Sequence, residues 1–196
     1  MHALVTGFEP FGGENVNASY EAVRRLPPRM GALDITTAQL PTSYARAGPA
    51  LLREIERVKP AIVLCVGEAG ERTDLNIERI AINVQDARLP DNDGAQPVDT
   101  PVVATAPAAY FATLPVRKIH AALTAAGLPS VISNSAGTFV CNHAFYTLMH
   151  FAATQRTGLR GGFLHVPCWR EAGGAVMPLD DIVRGITIAL ETAAAR

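Results

Sequence analysis

The segment AIVLCVG, residues 61–67, constrains the fold more than any other stretch of this chain. Six apolar residues run without interruption and stop at Gly67. A strand with one wet face would alternate polar and apolar side chains. An unbroken apolar run fits a strand covered on both faces, the usual condition in a parallel sheet. HALVTG (2–7), LDITTAQL (33–40), PSVISNS (129–135) and GGFLHVP (161–167) read as further strands.

Helical patterns separate them. In NASYEAVRRL (17–26), Ala22, Val23 and Leu26 share a face, Asn17 can cap the first turn and Pro27-Pro28 stops the helix. LLREIERV (51–58) carries Leu51, Leu52, Ile55 and Val58 on one stripe. That helix begins either at Ser43, with a bend at Pro49, or at Pro49 itself. LPVRKIHAAL (114–123) has Pro115 in its first turn and Gly127 beyond its end. CNHAFYTLMHFAA (141–153) and LDDIVRGITIALETA (179–193) complete the set, and ERIAINV (78–84) reads as a short strand. The alternation predicts a single α/β domain over residues 1–196, with a mostly parallel, twisted central sheet covered by helices on both sides. In such sheets ligands bind at the carboxyl ends of strands.

Residues 68–107 break the rhythm. They are rich in charge, contain several prolines and show no strong period. A long irregular stretch inside an α/β chain is more often functional than idle.

Composition narrows the function classes. With 48% hydrophobic and 18% charged residues the chain is not of disordered type. Seventeen basic against eighteen acidic residues, net −1, leave no phosphate-neutralising excess, which argues against nucleic acid as a partner. Cys65, Cys141 and Cys168 are too few for a disulfide framework and odd in number, as expected in a reducing compartment. MHALVTGFEP lacks the basic start and apolar core of a signal peptide, and no apolar run approaches the ~18 residues of a membrane span. A cytoplasmic protein without a membrane partner is the expectation.

Two residues, Cys141 and His165, carry the strongest chemical signals. Cys141 follows the Ala136-Gly137 turn where a strand gives way to a helix. A thiol near a helix N-terminus faces the positive end of the macrodipole, which favours the thiolate. A buried packing cysteine is the plainer reading, and Cys65 inside the apolar run is such a case. His165 closes GGFLHVP and should lie at the same sheet edge as Cys141, unless it is simply a histidine held by a backbone carbonyl. Glu78, in DLNIERIAINV and followed by Arg79, is part of a solvated face, a member of a local ion pair, or the third group that orients the histidine. His2, His120 and His150 have weaker claims. TGFEPFGGE (6–14) is a Gly-rich loop without the Lys of a phosphate loop or the G-x-G-x-x-G of a dinucleotide site. Its Phe8 and Phe11, with Phe139, either fill the core or line an apolar pocket. Cys141, His143, His165 and Cys168 are plausible zinc ligand types, but C-x-H at a helix start directs the two side chains apart.

TGFEPFGGE, VGEAGERTDLNIERIAINVQDARLPDNDG, SNSAGTFVCN and GGFLHVP, in that order along nearly the whole chain, closely resemble the pyroglutamyl peptidase I (pyrrolidone-carboxylate peptidase) family. The resemblance implies a three-layer α/β/α sandwich, no cofactor, no metal and frequent homotetramers. It implies a cysteine peptidase that removes an N-terminal pyroglutamyl residue from peptides. Carried over by motif, the nucleophile falls on Cys141, the histidine on His165 and the carboxylate on Glu78. Arg88 matches an oxyanion-supporting position, and Phe8, Phe11 and Phe139 match residues around the pyroglutamyl ring. Asn76 stands where Ser or Thr is common, Glu68 where bacterial members often have Gln, and VPCWREAGG after His165 also departs from the pattern.

That chemistry makes physical sense. Pyroglutamate is a neutral lactam with no ammonium group, so its enzyme needs an apolar slot with a donor and an acceptor for the ring. The expected course is attack by Cys141, a thioester acyl-enzyme and its hydrolysis, with His165 moving protons. A zinc hydrolase of similar fold and a non-catalytic binder of cyclic ligands are the alternatives.

Overall fold

The structure is a computed structural model that describes residues 1–169 and 177–195. Nine strands and five helices are found among these residues: β1 (His2–Phe8), α1 (Ala18–Val23), β2 (Arg29–Met30), β3 (Leu33–Leu40), α2 (Tyr44–Val58), β4 (Ile62–Glu68), β5 (Leu75–Glu78), β6 (Ile80–Ile82), β7 (Ala109–Phe111), α3 (Val116–Ala125), β8 (Ser130–Ser133), α4 (Val140–Thr154), β9 (Arg160–Val166) and α5 (Leu179–Ala194). The main sheet has the order β2-β3-β1-β4-β9-β5-β8, and β6 pairs with β7 apart from it.

The apolar run at 61–67 becomes β4 in the middle of the sheet, between β1 and β9, with both pairings parallel. Its side chains alternate between two cores. Ile62, Leu64 and Val66 face α1, α3 and α5, whereas Val63 and Cys65 face α2 and α4. Helices therefore cover both sides, and the three-layer architecture follows.

Local chemistry sets most boundaries. Asn17 accepts from the Ser19 N–H at the start of α1. Ser43 caps α2 by accepting from the Arg46 N–H, so the earlier of the two proposed starts is realised and Pro49 lies inside the helix. Gly137, in the turn before α4, has a φ of 76°, a conformation that costs little only without a Cβ.

The sheet is mostly parallel, as expected, and mixed toward its edges: β5 runs antiparallel to β9 and parallel to β8, and β2 runs antiparallel to β3. The connection 69–74 is too short for a crossover helix, so the chain leaving β4 can only turn back. One expectation needs correction: the segment 78–84 is not one strand. After Glu78 the chain changes partner at Arg79, whose N–H donates to Ser133 O while its carbonyl accepts from Ala112 N–H. β6 then pairs with β7. The departure in VPCWREAGG lies, from Arg170 onward, outside the described residues. No helix among the described residues is long and apolar enough to cross a membrane.

Candidate active site

The parallel strands β1, β4 and β9 end side by side at Phe8, Glu68 and His165-Val166, and the site is built on that edge. Period-2 alternation puts Phe163 and His165 on the α2/α4 face of β9. Because β5 runs the other way, Asn76 lies opposite His165, and Glu78 lies opposite Phe163, two residues deeper in the sheet. Glu78 thus shares a face with His165 on the diagonal and is fully buried. A register slip of one residue would turn it to the opposite core.

Glu78 Oε1 lies 2.8 Å from His165 Nδ1. A carboxylate only accepts, so Nδ1 carries the proton and Nε2 remains for a second partner. The same Oε1 accepts from Arg72 Nη1 at 2.7 Å, while Oε2 is buried and has no hydrogen-bond partner among the described residues. Glu78 is therefore no part of a solvated face: it joins a local ion pair with Arg72 as well as the hydrogen bond to the histidine. The Phe163 ring packs on the imidazole with centroids 4.7 Å apart.

Cys141 is the second residue of α4 and reaches over the sheet edge from the α2/α4 side. Its position depends on Gly67, the cross-strand partner of His165. A Cβ added at Gly67 would lie 2.8 Å from Cys141 Sγ and 2.8 Å from Phe163 Cζ. Only a glycine lets the sulfur settle this close to the strand. Sγ thereby rests on the residue beside His165, and both side chains line one cavity of about 310 Å³.

Burial pushes the Cys141 thiol up to about 12, with Glu78 the next largest influence in the same direction. Cys65 and Glu68 add to it, and Arg72 opposes it. Burial thus opposes the thiolate that a helix N-terminus favours. Cys65 is sealed in the core and is also pushed up to about 12 by burial.

Phe8, Phe11 and Phe139 all line the cavity. Phe11 and Phe139 form a tilted pair with centroids 5.9 Å apart, and Tyr44 meets Phe139 edge-on at 5.6 Å. Phe8 is buried at the floor, near Phe163. Arg88 stands at the mouth, 79% exposed, and pairs with Glu71 at 2.9 Å. Glu68 lines the cavity and accepts from Ala18 N–H at 2.5 Å, tying the start of α1 to the end of β4. Asn76 Nδ2 donates to Asp74 O at 2.6 Å, within its own strand approach.

The irregular stretch earns its length here. Asn142 accepts from Ile82 N–H and donates to the carbonyls of Ile82 and Val84. Gln85 Oε1 meets His143 Nδ1 at 2.8 Å, and Thr138 Oγ1 donates to Asp86 O at 2.6 Å. Three consecutive features of the α4 N-terminus are thus fastened to residues 82–86. Arg72 and Asn142 were not singled out from the sequence, because a charge in a charged loop and an Asn in a helix carry no periodic signal. His143 points away from Cys141, toward Gly48 on α2, so the C-x-H pair does not converge on one ligand position. His2, His120 and His150 pair with Thr36, Ser130 and Tyr110 and do not line the cavity.

A buried carboxylate–imidazole pair beside a thiol, at the carboxyl edge of an α/β sheet and under an aromatic pocket, is the arrangement of a thiol-dependent hydrolase. The sequence profile of the pyroglutamyl peptidase family matches residues 1–196. The chain is 47% identical over 195 residues to the pyrrolidone-carboxylate peptidase of Brevibacillus brevis, covering 96% of this chain and 91% of the relative. It is 49% identical over 196 residues to that of Cupriavidus pinatubonensis, with the same coverage of 96% and 91%. The crystal structure of Bacillus amyloliquefaciens pyroglutamyl peptidase I superposes with a TM-score of 0.96 at 41% identity, covering 100% of this chain and 97% of that one. A mutant pyrrolidone carboxyl peptidase from Pyrococcus furiosus gives a TM-score of 0.94 at 38% identity, covering 98% of each chain. The chain therefore belongs to the pyroglutamyl peptidase family, cysteine peptidases that remove N-terminal pyroglutamate.

Proposed function

We propose that the reaction runs on Cys141, His165 and Glu78 through a thioester. The observation that carries this reading is the 2.8 Å Glu78–His165 contact in the cavity that Cys141 lines. The peptide enters with its pyroglutamyl ring against Phe11 and Phe139 and above Phe8. His165 Nε2 takes the Cys141 proton as the sulfur attacks the carbonyl that joins pyroglutamate to the next residue. N–H groups at the start of α4, left without helical acceptors, hold the oxyanion, and Arg88 supports it from the mouth. The tetrahedral adduct collapses, the C–N bond breaks, and His165 returns the proton to the departing amine. Water, deprotonated by His165, then attacks the thioester; the C–S bond breaks, free pyroglutamate leaves, and His165 returns the proton to the Cys141 sulfur. Glu78 fixes the imidazole tautomer throughout. Proton transfer within the pair answers the raised thiol pKa, because the thiolate forms beside the imidazolium rather than alone.

The reading takes residues 1–196 as one peptidase domain, since both cores share a single seven-stranded sheet. A cytoplasmic site of action is supported by a nucleophile that must stay reduced. Assembly into a homotetramer rests on the family resemblance and is tested by sedimentation. The activity is tested by hydrolysis of a fluorogenic pyroglutamyl amide in dithiothreitol. Iodoacetamide should abolish release of the fluorophore and EDTA should leave it unchanged. Inactivation by EDTA with insensitivity to iodoacetamide would overturn the assignment, and binding without cleavage would make the chain a lactam-binding protein.

A further inference from the structure

Arg72 has a place in the site that the chemistry above does not use. It lies in the connection 69–74, which is anchored where Ala69 N–H donates to Val166 O, one residue beyond His165. Arg72 N–H closes the turn onto Ala69 O. The guanidinium then reaches in two directions. Nη1 donates to Glu78 Oε1 at 2.7 Å, and Nη2 donates to Ser135 O at 3.1 Å. Ser135 belongs to the turn that leads through Gly137 into α4, and its hydroxyl accepts from Gly137 N–H.

We propose that Arg72 is a positioning residue for the reaction: it clamps the Glu78 carboxylate in the orientation that holds His165 and ties that carboxylate to the turn that delivers Cys141. This rests on the assignment of Glu78, His165 and Cys141 made above. Glu78 is fully buried, both of its hydrogen bonds converge on one oxygen, and the other oxygen has none among the described residues. A buried anion so sparsely satisfied needs a compensating cation, and removing that cation leaves the charge uncompensated. With Arg72 gone, Glu78 is free to rotate toward its unsatisfied side and release His165 Nδ1. The fork geometry matters because a planar guanidinium can serve two acceptors at once, which a single ammonium does poorly.

Electrostatics agree. The thiol of Cys141 is faced by Glu78 on β5, by Cys65 and Glu68 on β4, by His165 on β9 and by Arg72 from the connecting turn. Glu78, Cys65 and Glu68 raise its pKa, and Arg72 lowers it.

The test compares wild-type, Arg72→Gln and Arg72→Lys enzyme. Hydrolysis of the pyroglutamyl amide gives kcat and KM, and the rate of iodoacetamide alkylation is followed against pH. For Arg72→Gln we expect kcat to fall by about 100-fold with KM changed by less than about twofold, the signature of a displaced reacting group. The alkylation profile should move up by about one pH unit. Arg72→Lys, which keeps the charge and loses the fork, should keep the wild-type alkylation profile and lose only about tenfold in kcat. Wild-type kcat and alkylation in Arg72→Gln would overturn the proposal, as would a loss confined to KM. Should Arg72→Gln fail to fold, full kcat in Arg72→Lys would overturn it by itself. Alkylation reads Arg72 even in a chain that hydrolyses nothing, so failure of this proposal and failure of the triad assignment are distinguishable.

Discussion

The two faces of the central sheet have been built from different materials. Against α1, α3 and α5 the buried side chains are aliphatic: Leu64, Ile77, Leu164, Ile182 and Ile186 are typical. Against α2 and α4 the core contains Phe8, Tyr44, Phe145, Tyr146, Phe151 and Phe163. That second face also buries Glu78, Asn142, His143 and His165. Aliphatic packing stabilises without directionality. Aromatic rings and buried polar groups impose orientations and must find partners. One face holds the fold, and the other holds a geometry.

If that division is real, Cys141→Ala should separate the two most sharply. Activity is expected to fall by at least about 10⁴-fold, with the melting temperature within a few degrees of wild type. Residual turnover near the wild-type rate would remove the nucleophile from the polar face. Glu78→Gln should lower kcat by about 10²- to 10⁴-fold while circular dichroism still reports a folded chain. Full activity would make Glu78 a structural group.

On the opposite face Ile186→Ala should cost about 2–5 kcal/mol in urea unfolding, because Ile186 is fully buried in the aliphatic core. The kcat of the folded fraction should not change; a parallel loss of kcat would show that the faces are coupled.

His143 gives a pH signature to the polar face. Burial lowers its pKa from 6.5 to about 4, so the unfolded chain takes up this proton more readily than the folded one. Its contribution to stability is complete above about pH 6.5 and is lost as pH falls toward about 4. At pH 5 the loss should be about 2 kcal/mol. His143→Asn should flatten that part of the stability–pH curve, and an unchanged slope would place the titration elsewhere. The smallest expected effect is a roughly tenfold rise in KM for Phe11→Ala, from lost apolar contact with the ring. An unchanged KM would return Phe11 to the scaffold.

Much of this was legible in the chain. The β4 run, the Asn17 cap, the stop after α3 and the strand Leu33–Leu40 follow from local rules, since each depends on neighbours in sequence. Cys141 and His165 could be placed at the sheet edge because strand ends are legible. Glu78 could not be placed by spacing alone. Its role depends on β5 reversing direction beside β9, a choice made by a short connection and by which strand edge remained open. β2, β6 and β7 have only two or three residues each, too few for any period to show.

The sequence by itself determined the alternation of strands and helices, the family motifs and the residue types capable of thiol chemistry. Tertiary structure decided that Glu78 lies beneath His165, that Arg72 bridges Glu78 and Ser135, and that the Cys141 sulfur rests on Gly67. It also decided how deeply Cys141 is surrounded, and that burial raises its pKa. Local patterns record a residue's own backbone and nearest neighbours in the chain. Burial, charge and contact at a catalytic edge depend on segments that meet only after the sheet has closed.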